Sequence, residues 1–408
     1  MNLSDIKTQE TAKNVSVSVT DITTPNKPNI HVTGYVDTYS GYGEHCRAVL
    51  NGLNGTGKYN IKLTDLKCAK NVSPQVTSKY RNNIYFHNFN YEDSIYLGIT
   101  APGYMQEKLI PKCKKSFTWT MTETNEVPNM ISDLSKNVDT IICPTYIDKD
   151  KFNRAGVLNT TVCPLGYDET LYNSETPRLD IVNLRGRYVF GSVGSWNARK
   201  NQQAIIKAFV KNYRSSDNTT LLFVSKYAVR DYEGKIFNTI EEELKHYIES
   251  ARKEYNVSES DLPHIALYDG TLHENVMPMM MSRIDCLVGA STGESTWLPA
   301  LHMAAIGRPI IQASNPNAGY MEYLHKNPYM VDEGVNAMAT PEFYLGISEY
   351  YKDCYMFFVD PEALGEMMLK VDKDHNTSAQ NQAIQAVRAE VTDRTWKTSV
   401  GKLINILF

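Results

Sequence analysis

From Ile30 onward, short apolar runs alternate with segments in which apolar residues recur every three or four positions. The short runs lie near 30–36, 61–66, 84–87, 116–121, 139–143 and 161–163, and again near 188–194, 219–224, 264–268, 284–289 and 309–312. They predict buried strands; the longer periodic segments, such as 202–213, 240–255 and 319–325, predict helices. Such alternation implies an α/β fold with parallel sheets covered by helices on both faces. Two doubly wound domains facing each other across a cleft are expected, with ligands beyond the carboxyl ends of the strands.

The pattern also suggests boundaries. Residues 1–28 are polar, with a brief alternation at Val15-Ser16-Val17-Ser18-Val19, and read as an N-terminal arm. A first domain is expected over 29–170 and a linker over 171–186, where Pro177 and several charges break any helical period. A second domain is expected over 187–377. The end, 378–408, reads as two helical stretches interrupted at Thr392-Asp393-Arg394.

Composition narrows the class. The chain is 42% apolar and 22% charged over 408 residues, as expected of a globular protein of two or three domains. A net charge of −4 gives no strong pull toward nucleic acid. No apolar run approaches the ~18 residues that span a bilayer, and the N-terminus lacks the basic and apolar regions of a signal peptide. A cytoplasmic location is expected, with room left for peripheral membrane contact. The seven cysteines are scattered, odd in number and never in a Cys-x-x-Cys pair, so reduced, buried thiols are expected rather than a zinc site.

Five groups carry candidate chemistry. After the run Ile284-Asp285-Cys286-Leu287-Val288 comes Gly293-Glu294-Ser295-Thr296-Trp297-Leu298-Pro299, running on to His302 and Gly307-Arg308-Pro309. Pro299 suits a first helical turn and Gly307 the position past its end. A helix N-terminus facing a cleft suits a diphosphate, and Glu294 could hold sugar hydroxyls beside it. The pattern alone leaves an ordinary βα loop equally open. In Gly191-Ser192-Val193-Gly194-Ser195-Trp196-Asn197-Ala198-Arg199-Lys200-Asn201, two adjacent cations precede a helix; this opposes the macrodipole, and an anion between them would relieve it. The Gly34–His45 segment, with Gly41, Tyr42 and Gly43 before a helix near Glu44, lets backbone approach a ligand but matches neither a dinucleotide nor a P-loop fingerprint. His87 closes the run Ile84-Tyr85-Phe86. The pairs Asp148-Lys149-Asp150 and Asp372-Lys373-Asp374 read mainly as surface acids, with a divalent metal site as the other reading.

Several of these segments, with Phe117-Thr118-Trp119-Thr120-Met121-Thr122-Glu123-Thr124-Asn125-Glu126-Val127-Pro128, Val138-Asp139-Thr140-Ile141-Ile142-Cys143-Pro144-Thr145 and Cys163-Pro164-Leu165-Gly166-Tyr167-Asp168, resemble in order the retaining family 4 glycosyltransferases of GT-B fold. The resemblance covers roughly 30–325 and the C-terminal helix. It implies transfer of a hexose from a GDP- or UDP-sugar to a glycan or other hydroxyl acceptor, with retention and no required metal or cofactor. It assigns Glu294 to the donor sugar, Lys200 and Arg199 to the leaving diphosphate, and Gly41–Gly43 to the phosphates. His87 would lie near the transferred sugar, with Asn317, Gly319 and Tyr320 on its far side. Thr296, Trp297 and Leu298 would line the donor site. The last helix would return to the first domain. Two positions depart from the family: His302 stands where a second Glu normally holds the ribose, and Ser195 replaces a frequent Arg. A nucleotide-sugar epimerase, and a nucleotide- or glycan-binding protein that has lost catalysis, remain as alternatives.

Overall fold

A computed structural model of the chain describes residues 27–66, 74–84, 86, 88–227, 237–339 and 352–408. His87, and the arm before Lys27, lie outside the described residues. The first sheet holds β1 (Asn29–Gly34), β2 (Asn60–Asp65), β3 (Ser94–Ile99), β4 (Lys115–Trp119), β5 (Thr140–Cys143) and β6 (Thr160–Val162), in the order β2-β1-β3-β4-β5-β6. The second holds β7 (Tyr188–Trp196), β8 (Thr219–Tyr227), β9 (Ile265–Asp269), β10 (Cys286–Val288), β11 (Ile310–Ala313) and β12 (Met330–Val331), in the order β12-β11-β10-β7-β8-β9. The neighbouring strands run parallel, with Ile30 opposite Ile61 and Ile95 in the first sheet and Phe190 opposite Leu221 and Cys286 in the second. A separate antiparallel hairpin joins β13 (Gly334–Met338) to β14 (Tyr355–Val359).

Two compact units result. One comprises the described residues up to Thr120, Leu134–Ile142 and Val400–Phe408; the other comprises Met121–Asp133 and Cys143–Ser399. The stretch 171–186 lies inside the second unit, as does the acidic segment after β4. Within the first unit the end of the chain is packed down: Val400, Leu403 and Leu407 are buried, and the Phe408 ring stacks on Tyr59.

Local chemistry accounts for the elements. The helix Ile240–Glu254 opens on Thr239, which caps the Glu242 amide, carries Glu241, Glu242 and Glu243 in its first turn, and ends with Arg252 and Lys253, all favourable to the helix dipole. The helix Gln202–Asn212 buries Ile205, Ile206 and Phe209 against Phe190, Leu221 and Phe223 of the second sheet. The two C-terminal helices span Ser378–Val391 and Trp396–Leu407, separated where Thr392-Asp393-Arg394 predicted a break.

Three expectations are corrected. The strand expected near 84–87 does not begin at Ile84, which ends the single helical turn Arg81–Ile84; the strand described in this region is Ser94–Ile99. An apolar run as short as Ile84-Tyr85-Phe86 serves a helix end as readily as a strand. Gly41, Tyr42 and Gly43 are not a loop but the first turn of a helix, Gly41–Thr56, capped by Ser40, whose side chain accepts from the Gly43 amide. A Cβ at Gly43 would lie 1.8 Å from the Thr38 carbonyl oxygen, so this glycine serves close packing. Asp148 is not a surface acid; it is fully buried, whereas Asp150 is exposed and pairs with Arg154.

Candidate functional site

In the second sheet the strand order reverses between β7 and β10, the kind of switch point where open α/β sheets bind ligands beyond their carboxyl ends. The Arg199-Lys200 turn follows β7, and the loop Gly289–Trp297 follows β10. After Trp196 the Asn197 side chain accepts from the Lys200 amide and closes one 3-10 turn. Asn201 then takes a left-handed conformation, φ 51°, which Asn tolerates better than most residues, and the helix begins. This turn aims both cations at the β10 loop.

Arg199 is almost wholly buried and joins three segments. Its guanidinium donates to the Gly293 carbonyl at 2.6 Å, lies 2.8 Å from a Glu123 carboxylate oxygen and 3.1 Å from Glu294. Its own carbonyl accepts from the Thr292 amide at 2.8 Å and from the hydroxyls of Ser291 and Thr292 at 3.2 Å. Lys200 pairs with Glu294. The anion expected between the two cations is thus supplied by the protein's own carboxylates. Burial pushes the Glu294 carboxyl up, but the charges of Arg199 and Lys200, with hydrogen bonds from Lys200 and Ser291, outweigh it and hold it at about 2. Burial raises the Glu123 carboxyl; Arg199 opposes this and the Glu294 charge adds to it. Burial lowers Lys200, Arg199 acting in the same direction and Glu294 against it.

A second buried pair supports this cluster. Lys151 lies 2.9 Å from Asp148 and donates to the carbonyls of Thr122 and Thr124, on either side of Glu123. Asp148 accepts from Thr145 and from Ser295, the residue after Glu294. One ion pair therefore fastens both acidic segments. The glycine of Gly293-Glu294 is needed here, since a Cβ at Gly293 would lie 1.7 Å from the Glu123 carbonyl oxygen.

The helix Leu298–Ile306 carries Pro299 in its first turn and ends at Gly307, φ 86°. Its N-terminal junction is not laid open, because Thr296 and Leu298 are buried. Trp297 sits at φ 50°, a conformation costly for a bulky residue, held by packing on Gly289 and an edge contact with Tyr320. The Tyr323 hydroxyl donates to the Thr296 carbonyl. The Thr296 hydroxyl itself is buried with no hydrogen-bond partner. Asn317 donates its amide to Asn315, and Gly319 lies against Thr145 and the Ser295 backbone, which brings the 315–320 loop onto the Glu294 loop. His302 lies flat on the Tyr172 ring, centroids 3.9 Å apart, and is buried. Gly41, Tyr42 and Gly43 belong to the first unit, beyond the carboxyl end of β1, where that sheet's order also reverses.

Glu123, Ser291 and Lys151 carried no assigned role in the sequence, and Asp148 was expected as a surface acid or a metal ligand. Glu123 lies just past the carboxyl end of β4, and that position was the available signal. The cavity at the cluster, lined by Gly194, Lys200, Ser291 and Trp297 among others, is only about 10 Å³, about one water's worth of room.

No family model and no curated protein matches the chain. Solved structures do. A sucrose-phosphate synthase from Thermosynechococcus elongatus is similar at TM-score 0.61 and 12% identity, over 93% of this chain and 98% of that one. A structure described as trehalose-6-phosphate from E. coli bound with UDP-2-fluoro glucose is similar at TM-score 0.63 and 11% identity, over 93% and 98%. A glycosyltransferase from Rickettsia africae is similar at TM-score 0.59 and 11% identity, over 94% and 98%. The fold is that of the GT-B glycosyltransferases, as the resemblance implied.

Proposed function

We propose that the protein is a retaining glycosyltransferase that moves a hexose from a nucleotide-diphosphate sugar to a hydroxyl of a carbohydrate acceptor. The observation that carries this reading is the convergence of Arg199, Lys200 and Glu294 at the β7/β10 switch point. Breaking a sugar–phosphate bond builds negative charge on the leaving diphosphate, and buried, preoriented cations stabilise that charge far better than water does. Lys200 and Arg199 take this role. Glu294 and the unpartnered Thr296 hydroxyl take the donor sugar. The cavity beside Lys200, about 10 Å³, is far smaller than a diphosphate, so the donor enters only as the loops open and Lys200 leaves Glu294. Glu123 keeps Arg199 in place during the exchange. The reading calls for no metal, the charge being met by the two side chains. A similar protein is bound with UDP-2-fluoro glucose, which favours a UDP-sugar as the first donor to assay.

Replacing Lys200 by Ala is expected to lower turnover about 10²–10³-fold, with an unchanged circular-dichroism spectrum. Unaltered turnover in this variant would remove Lys200 from the mechanism and with it the basis of the reading.

A further inference from the structure

A second cavity lies away from this cluster. It has a volume of about 1000 Å³ and lies at the opposite, amino-terminal edge of the second sheet. Tyr188 and Thr219 begin β7 and β8, while Asp285 and Arg308 directly precede β10 and Pro309-Ile310. The nine residues of β7 set it roughly 26 Å from the Arg199 turn.

Two guanidiniums share one carboxylate there. Asp285 lies 2.6 Å from Arg178 and 3.6 Å from Arg283, and it also accepts from the Val189 amide. Arg308 lines the same cavity; burial disfavours its charge, Arg178 adding to this and Asp285 opposing it. The corner therefore holds an excess of positive charge beside an open cavity, which suits a phosphate group and its several acceptor oxygens. Farther along the wall stand Tyr188, Tyr213 and Thr219, whose buried hydroxyls have no hydrogen-bond partner. Tyr213 is 2% exposed and Thr219 6%. A native fold rarely leaves three such hydroxyls unpaired in one place, and a bound polar ligand would supply partners. Asp217 and Asp372 are also in the lining, and carboxylates there accept from the hydroxyls of a polyol.

We propose that this cavity is a second binding site, separate from the Lys200–Glu294 cluster, for a phosphorylated polyol such as a hexose phosphate. Its phosphate lies against Arg308 and Arg178, and its hydroxyls lie toward the tyrosines and Asp372. The proposal does not depend on glycosyl transfer.

Calorimetric titration of the full chain with glucose 6-phosphate tests it. Wild type and Lys200→Ala are expected to bind alike, Arg308→Gln about tenfold or more weaker, and Tyr213→Phe about threefold weaker. Tyr213→Phe removes only an unpartnered hydroxyl, so it tests the site without endangering the fold; thermal melts check both variants. Absence of saturable binding overturns the proposal. So does binding unchanged by Arg308→Gln, or free glucose or inorganic phosphate binding as tightly as glucose 6-phosphate.

Discussion

Arg199 is held from both ends: its carbonyl takes three donors from Ser291 and Thr292, and its guanidinium reaches Gly293, Glu123 and Glu294. Such a side chain is part of the scaffold as much as of the chemistry, so Lys200 is the cleaner probe of turnover. Glu294 shows the electrostatic side. Its carboxyl is depressed from an ordinary 4.5 to about 2, so its ionised form stabilises the fold above about 4.5. That contribution fades as the pH falls toward 2. Glu294→Gln leaves buried cations short of a partner and is expected to cost about 3 kcal/mol at neutral pH. The gap between variant and wild type should narrow on acidification, measured by urea unfolding at several pH values; a constant gap would deny the ionised role. Arg199 and Lys200 were legible in the sequence because two cations beside a helix start are locally unfavourable. Glu123 was not, because its partner lies 76 positions away and its place past a strand end does not reveal that partner.

At the scale of elements, the Gly293–Trp297 junction sets the geometry of the cluster. Gly293→Ala would drive a methyl into the Glu123 carbonyl, and backbone there has little freedom to yield. A loss of about 1–3 kcal/mol is expected, with turnover falling further than stability explains, by chemical denaturation and assay together. An alanine variant with full activity would show that the two acidic segments are not locked as described. Most strands were visible as apolar runs, since a strand buried on both faces writes its burial directly into the sequence. β3 escaped because the neighbouring Ile84-Tyr85-Phe86 offered a rival run. The β13–β14 hairpin escaped because its exposed Val335, Met338 and Tyr355 blur any alternation. Asp148 was misread for a related reason: an acid in a first helical turn is usually a cap, and only the tertiary structure turns it inward onto Lys151.

At the scale of the molecule, the chain passes between its two units several times, and the residues from Val400 onward count with the first. The fold class was plain from periodicity; this threading was not, because apolar spacing records burial but not the neighbour that provides it. Leu403 is fully buried in the first unit, so Leu403→Ala should cost about 2–5 kcal/mol. Calorimetry is expected to show the unfolding of the first unit moving to lower temperature while the Lys200 site remains intact. The Arg199 hub also has a kinetic consequence. It joins positions separated by 94 residues, so the entropy of closing that long stretch must be met before its bonds to the Gly293 loop form. The cluster should therefore be among the last parts to set during refolding. In pulse-labelling hydrogen exchange the Thr292 amide, bound to the Arg199 carbonyl, is expected to gain protection after the amides of β7 and β8. A newly made chain would pass through a stage with β7 and β8 paired and the charged cluster still unassembled, so its competence for chemistry would lag behind its shape.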